Sequence, residues 1–424
     1  MLVRAMKMVV VAFLVVGVGT ASYFGGYESG RNSSVPTISV SAPAPKDGEP
    51  FQFGVFWEAW QLVQKEYYRD SAVDPTKLTY GAIKGMIDAL GDPYSSFATP
   101  EHAKINEEDM RGSFDGIGVV VELRDKKLTV VAPSADDSPG AKAGIKPGDV
   151  IVKVDDRETA NMTLLEAVSF IRGPRGTKVR LTIVREGEAE PLVIEIVRQE
   201  IKSVLVRSNL LEGGIGYVKM NGFASPTAAE LTQAVKKLMQ QNPKALILDL
   251  RDNPGGLLYT AVDVASIFLR EGVVLYEEAR DGTTTPLNVK KGAIAPDIPM
   301  VVLINKGSAS ASEIVAGALQ DHGRAILVGE NSFGKDTVQN VHELSDKSSV
   351  RITIARWLTP KKQEIHEVGL APDIKVELTA EHMKAGQDPQ LDAAVEYLKS
   401  TVGDPAETAA TSAPHSGAGA LSGP

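Results

Sequence analysis

The stretch MVVLINKGSASASEIVAGALQ, residues 300–320, changes its hydrophobic period half-way along. Its first five residues are a short apolar, β-branched run of the kind that forms a buried strand, whereas Ile314, Val315, Ala318 and Leu319 recur at helical spacing. A strand that runs through a short small-residue turn into a helix is half of a β/α unit. The runs IGYVKM (215–220), ALILDL (245–250) and AILVGE (325–330) repeat the strand signal, and helical patterns at 226–241, 256–270 and 311–322 alternate with them. This alternation predicts an α/β core over residues 201–378 with largely parallel strands, whose ligand site lies at the carboxyl ends of those strands. SASAS begins at such an end.

Outward from that core the pattern changes. Residues 112–200 hold short β-branched runs (GIGVVVEL, KLTVVAP, GDVIVKVDD, KVRLTIVRE, PLVIEIVRQ) and one helical stretch at 164–171, which predicts a compact β-rich module. Residues 51–111 carry apolar positions at helical spacing (Phe56, Trp60, Val63, Tyr67, then Leu78, Ile83, Met86, Ile87, Leu90) and read as a small helical segment. A further helical segment is expected at 379–401. Residues 28–50 are rich in Ser, Pro and Gly and read as a flexible linker, and 402–424 have the same composition and read as a disordered tail. Residues 1–27 combine Arg4 and Lys7 with an uncharged run, residues 8–27, which suits either a cleaved signal peptide or a membrane anchor. Export is expected on both readings, to a periplasm or cell surface, anchored or secreted.

Composition removes several function classes. The 424 residues contain no cysteine, which excludes thiol catalysis, iron–sulfur clusters and disulfides, and the formal net charge of -9 without a Lys/Arg block argues against nucleic acid as a partner.

The chemistry concentrates at the strand ends. Ser310 falls at or beside the N-cap of the helix that begins at 311, with Ala309 and Ala311 leaving room for a substrate, in a geometry like a nucleophile elbow without its G-x-S-x-G letters. Free N–H groups and the helix dipole favour an oxyanion there. The same position suits a plain helix cap, and spacing alone leaves both readings open. His322 is excluded as its base, since twelve helical residues at about 1.5 Å each put it roughly 18 Å away. His342 and His366 sit in no pattern that aims them at the corner. Lys335, in NSFGKDTVQ after strand AILVGE, is the other candidate. Neutralising an ordinary lysine at pH 7 costs about 4.6 kcal/mol, so burial must lower its pKa, and desolvation can do so by about 3 to 5 units. Phe333 and the neighbouring strands are expected to supply apolar surroundings, and Gln339, four residues on, an orienting amide; an exposed loop lysine is the alternative. Residues 329–335 also fit G-x-x-x-x-G-K, but Asp336 follows where a phosphate loop needs Ser or Thr, and DTVQNVHEL reads as strand rather than helix.

Taken together, SASASEIVAGALQDHGRA, the FGK-x-x-VQ run, DLRDNPGG, GDPYSSF and SPGAKAGIKPGDVIVKVD resemble the carboxyl-terminal processing (tail-specific) proteases over residues from about 51 to 378. The resemblance implies an α/β serine protease core with an inserted PDZ domain, a small N-terminal helical segment, and no metal or cofactor. It places the nucleophile on Ser310, the base on Lys335, a supporting glutamine on Gln339, and oxyanion donors on the N–H groups of Ala311 and Gly256, with Gly255 the neighbouring possibility. The GIG turn Gly116, Ile117 and Gly118, with Val119 after it, would bind a peptide's terminal carboxylate while the following strand pairs with the peptide. Implied partners are proteins or peptides with accessible apolar carboxyl termini; self-association and a regulatory partner stay open. Two positions depart from the family: Asp336 stands where glycine is usual, and Asp252 where a second asparagine is usual. A carboxylate beside Lys335 would stabilise its ammonium form, so the expectation is an enzyme whose rate rises at alkaline pH, against the alternative of a silenced PDZ scaffold that only binds peptides.

Overall fold

The computed structural model describes residues 53–69 and 73–402. The uncharged run 8–27 and the linker 28–50 lie outside the described residues, as does the tail expected at 402–424 apart from Val402, which ends helix Pro389–Val402. Among the described residues no helix is long and apolar enough to cross a membrane.

The described residues fall into two compact units, which divide between Asp74 and Pro75. In the first, helix Phe53–Glu66 gathers Phe56, Trp57 and Trp60 into mutual ring contact. The helical segment expected over 51–111 is therefore divided. Helices Pro75–Asp88 and Pro100–Arg111 belong to the second unit because strand Ser96–Ala98, between them, pairs with strand Ser349–Leu358 some 250 residues later.

The core of the second unit is a six-stranded sheet in the order Val206–Leu211, Ile215–Met220, Ala245–Asp249, Met300–Ile304, Ile326–Gly329, Ile374–Lys375. The first pair is antiparallel and every later pair parallel. Strands Ala245–Asp249 and Met300–Ile304 are buried along their whole length, as aliphatic runs with both faces covered should be, the first closing on buried Asp249. One face meets helices Thr227–Met239, Leu258–Phe268 and Ala311–Asp321; the other meets Pro389–Val402 through Ala394 and Leu398. Arg251, 7 % exposed, ties the turn after Asp249 to this last helix: its guanidinium donates to Asp249, Asp388 and Gln390. The loop that follows is thus held from behind the sheet.

A second sheet was not expected from the sequence. It runs Ser96–Ala98, Ser349–Leu358, Val273–Ala279, Thr284–Asn288, with Thr337–Glu343 also paired to Ser349–Leu358. Every pairing in it is antiparallel, so outside the β-rich module a mostly parallel sheet is accompanied by an antiparallel one.

The β-rich module is a sheet in the order Val119–Arg124, Lys127–Pro133, Val150–Val154, Lys178–Val184, Leu192–Val197, with helix Leu164–Ile171 and an aliphatic core of its own. The chain enters and leaves it side by side, on strands Ser113–Gly116 and Gln199–Lys202, which pair with each other. An insertion with adjacent ends disturbs its host little. Arg172 fastens the module to helix Pro100–Arg111, lying 3.9 Å from the Phe114 ring centroid and donating to Asp109 at 2.8 Å.

Candidate active site

Three adjacent parallel strands end at one place: Ala245–Asp249 runs into Asp252–Gly256, Met300–Ile304 into Ser308–Ser312, and Ile326–Gly329 into Asn331–Asp336. The middle strand carries the serines. Ser308 and Ser312 are fully buried and their hydroxyls are spent on the scaffold, donating to Leu250 O at 2.8 Å and Asn253 O at 2.9 Å. Ser310 is half-buried and has φ 54°, ψ −116°, a backbone conformation that an L-residue other than glycine adopts at a cost of about 1–3 kcal/mol. Strain of this kind at a strand-to-helix corner thrusts the side chain outward. Ala311 opens the helix, so its N–H has no preceding turn to bond to.

The turn Asn253–Gly256 closes over the serines. Buried Asn253 donates to Met220 O and accepts from Gly255 N–H, while its carbonyl accepts from Ala309 N–H. Gly255 has φ 96° and lies so close that a Cβ there would stand 2.8 Å from Ala311 N and 2.9 Å from Ser310 Cβ. Only glycine fits. Because Gly255 N–H is committed to Asn253, Gly256 is the better donor of the two: its bridge to Phe223 uses the Gly255 carbonyl and the Leu257 N–H and leaves the Gly256 N–H out. Asp252, with φ 60°, exchanges two hydrogen bonds with Asn305: its N–H donates to Asn305 Oδ1 and its Oδ1 accepts from Nδ2, both at 2.9 Å. An acid serves there because the position asks only for an acceptor.

Ser310 and Lys335 are drawn together by Glu313. This carboxylate is fully buried, and its Oε2 accepts from both Ser310 N–H (2.8 Å) and Lys335 N–H (2.9 Å), while Oε1 accepts from Gly334 N–H and Ser332 Oγ, each at 2.6 Å. Burial pushes the Glu313 carboxyl above its ordinary value, against the pull of those four donors. Two residues 25 positions apart are thus held within two hydrogen-bond lengths at the backbone. Sequence reading assigns Glu313 no role; the signal that could have found it is an acid three places after an N-cap serine.

Lys335 is half-buried, with Nζ 4.9 Å from the Tyr94 ring centroid. Its amine lies below the ordinary lysine value, chiefly through burial, with the Arg351 guanidinium adding to the effect and Asp92 and Glu313 opposing it. The ring acts in two directions. Its cation–π attraction for an ammonium is worth about 0.5–2 kcal/mol, and removing water from the amine costs the charged form more, so the net shift is downward. The shelter comes from Tyr94 rather than Phe333, whose side chain is 43 % exposed. Phe333 N–H donates to Ser308 O, which anchors the backbone and turns the ring outward. The Tyr94 loop is itself fixed: Asp92 accepts from Tyr94 N–H and Ser95 Oγ, and Ser95 Oγ accepts from Thr353 N–H.

Gln339 donates to Thr337 Oγ1 (2.8 Å) and Thr353 Oγ1 (3.1 Å), not to Lys335, because it faces Thr353 in the hairpin and its amide is taken up by the flanking hydroxyls. Its hold on Thr353 braces the strand against which the Tyr94 loop rests. His322 lies against Val273 O, away from the serines, and His366 against Asp336. Asp336, 2 % exposed, aims its carboxylate at His366 Nδ1 (2.8 Å). A cleft of about 890 Å³ runs beside the site between helix Pro100–Arg111 and the hairpin 341–351, lined by Leu257, Arg351 and Val341. In the β-rich module, Gly116, Ile117 and Gly118 are buried, the carbonyls of Ile117 and Gly118 accept from Gly140 and Ser134 N–H groups, and Val119 begins a strand at the open edge of its sheet. No group of three or more His, Asp or Glu that could hold a metal ion occurs among the described residues.

The chain matches Peptidase family S41 over residues 214–376, a PDZ domain over 130–185 and the activating protease CtpB N-terminal domain over 15–101. It is 40 % identical over 322 residues to carboxy-terminal processing protease CtpA of Bacillus subtilis (strain 168), covering 76 % of this chain and 68 % of that one. It is also 40 % identical over 342 residues to a carboxy-terminal-processing protease of Bartonella bacilliformis, covering 80 % and 78 %. Among solved structures, a photosystem II D1 C-terminal processing protease is similar at 30 % identity and TM-score 0.49, over 76 % of this chain and 92 % of that one. With a parallel α/β core, an inserted PDZ domain and the NPGG and SASAS turns facing one another, this chain belongs to the carboxyl-terminal processing proteases of peptidase family S41.

Proposed function

We propose that the protein cleaves polypeptides with a Ser310–Lys335 dyad and selects them by a free carboxyl terminus held in the PDZ domain. The observation that carries this reading is the shared acceptor: Glu313 Oε2 bonds the backbone of both residues, beside an amine whose burial favours its neutral form. Neutral Lys335 takes the Ser310 proton as Oγ attacks the scissile carbonyl, and the N–H groups of Ala311 and Gly256 receive the oxyanion. The ammonium then protonates the leaving amine. Water, deprotonated by the same amine, releases the acyl group and restores the hydroxyl. Gln339 keeps Thr353 and the Tyr94 loop in place. Residues Gly116 to Val119 take the substrate's terminal carboxylate, and the edge strand that follows pairs with the adjoining segment. We further place the protein outside the cytoplasm, on the strength of the uncharged run 8–27 behind Arg4 and Lys7; digestion of intact cells by an added protease reads this out.

Because the reacting form of Lys335 is the neutral one, activity rises as pH rises through its folded-state pKa, which lies below the ordinary lysine value. Tyr94→Ala, by letting water reach Nζ, is expected to move that rise about one unit toward alkaline pH and to cost about tenfold in kcat/KM on its acid side. Tyr94→Phe, which keeps the ring, should leave the rise where it is; a pH–rate profile of the three proteins decides.

Carboxyl-end selection is tested with paired peptides that differ only in a free or amidated terminus. Losing a charge-assisted bond to the carboxylate is worth about 1.5–3 kcal/mol, so amidation is expected to lower kcat/KM by roughly ten- to a hundredfold. Equal cleavage of the pair would remove the PDZ domain from substrate choice. Binding of the free-ended peptide by wild-type protein with no cleavage between neutral and alkaline pH would favour the peptide-binding scaffold instead.

A further inference from the structure

Asp336 sets a problem for the lysine next to it, and the structure contains the answer. An acid within about 4–6 Å of an amine favours the charged amine by about 1–3 units, which is the wrong direction for a base. Here the segment 332–336 is pinned on two sides. Trp357 donates from its backbone N–H to Asp336 O (2.7 Å) and from Nε1 to Lys335 O (3.2 Å). On the other side the loop 365–370 runs alongside, with Glu367 N–H on Gly334 O (3.0 Å), Ser332 N–H on Leu370 O (3.1 Å) and Leu370 N–H on Ser332 Oγ (2.7 Å). Gly334, φ 90°, passes so close to that loop that a Cβ would come within 2.8 Å of both Gly369 N and Ile365 O. His366 projects from this same loop, and its Nδ1 meets Asp336 Oδ1 at 2.8 Å.

We infer that His366 is a positioning residue for the proposed base: it ties the buried Asp336 carboxylate to the loop 365–370, and so lets this chain keep an acid beside the lysine. The groups around the pair are accounted for. Facing Lys335 are Arg351 from strand Ser349–Leu358, Asp92 from the loop that carries Tyr94, and Glu313 from helix Ala311–Asp321. Tyr94 in turn feels Glu313, Asp336, Glu367 and Asp92. Next to His366 in the chain, Glu367 remains, and Glu364 is paired with Arg356, which also holds Glu278. With Asp92 and Glu313 already opposing the neutral amine, a third carboxylate turned toward it would add to them.

The inference rests on the Ser310–Lys335 reading, and the experiment separates the two. pH profiles of kcat/KM on one unstructured protein substrate are compared for wild type, His366→Ala, His366→Asn and the double variant Asp336→Asn/His366→Ala, with thermal unfolding of each and Lys335→Ala as a control. His366→Ala is expected to shift the acid-side rise about one unit to higher pH, a tenfold loss at a fixed pH below it. His366→Asn, whose amide can still donate to Asp336, should stay near wild type, and the double variant should return to it, since the freed carboxylate is gone. If His366→Ala has no measurable rate, the double variant carries the test: recovery with the wild-type profile supports the inference and continued inactivity overturns it. A uniform loss with an unmoved rise, or a shift that Asp336→Asn does not reverse, also overturns it. Cleavage by Lys335→Ala would sink the dyad itself, independently of His366.

Discussion

Ser310→Ala and Lys335→Ala are each expected to lower kcat by about 10⁴- to 10⁶-fold while leaving a folded protein that still binds peptides with a free carboxyl end. The size follows from the way a nucleophile and its base act as a unit: removing either removes nearly all that the pair supplies, and what survives comes from substrate binding and the oxyanion donors. For the same reason the double variant should be hardly worse than either single one. Ser310→Ala tests the hydroxyl without disturbing the turn, since Ser308 and Ser312, not Ser310, bond that turn to Leu250 and Asn253. Lys335→Ala removes an amine sheltered by Tyr94 and leaves the Lys335 N–H on Glu313. Single-turnover rates with equilibrium peptide binding on the same samples check both halves of the prediction. Additive losses from the two substitutions would mean that serine and lysine do not act on the same proton.

Glu313→Gln is expected to have the second largest effect, and on stability as well as rate. A carboxylate offers two acceptor oxygens, and here both are used, each by two donors. An amide offers one oxygen and one NH₂, so whichever way glutamine turns, its NH₂ meets two groups that need an acceptor in a site closed to water. Two buried donors left without partners cost about 1–3 kcal/mol each. Part of that cost is relieved by rearrangement, and rearrangement here means separating Ser310 from Lys335. The expected result is a fall of about 2–5 kcal/mol in unfolding free energy by urea titration, together with a loss of at least about 10³-fold in kcat. An unchanged urea midpoint with an intact rate would show that Glu313 neither carries the turn nor joins the two residues.

Much of this arrangement was legible in the sequence, for reasons that differ from element to element. The buried parallel strands announce themselves because both faces are covered and the runs are aliphatic up to their ends: MVVLI and ALILD, the latter closing on Asp249, could be placed almost to the residue. The module's strand Lys127–Pro133 and helix Leu164–Ile171 were likewise plain from period and flanking turns. The antiparallel sheet was not, since VVLYEEA and SVRITIARWL carry charges at part-buried positions, contain pairing irregularities and find partners far along the chain. Ser310 and Lys335 could be singled out by their places at strand ends. What surrounds them could not. Tyr94 reaches Lys335 across 241 positions, Glu313 looks like any first-turn acid, and Phe333, the nearest ring in sequence, turns away. Asp336 looked like a threat to the lysine because its neighbour in space, His366, lies thirty residues on. Local pattern tells where a side chain starts; only the tertiary fold tells what it meets.

The account comes down to the charge on one amine. Titrating Lys335 Nζ by NMR in protein carrying labelled lysines, assigned by its loss in Lys335→Ala, measures that charge without relying on a rate. The account predicts a midpoint below the ordinary lysine value of about 10.4, matching the rise in kcat/KM and moving up in Tyr94→Ala. A midpoint at the ordinary value, in both free protein and peptide complex, would contradict it.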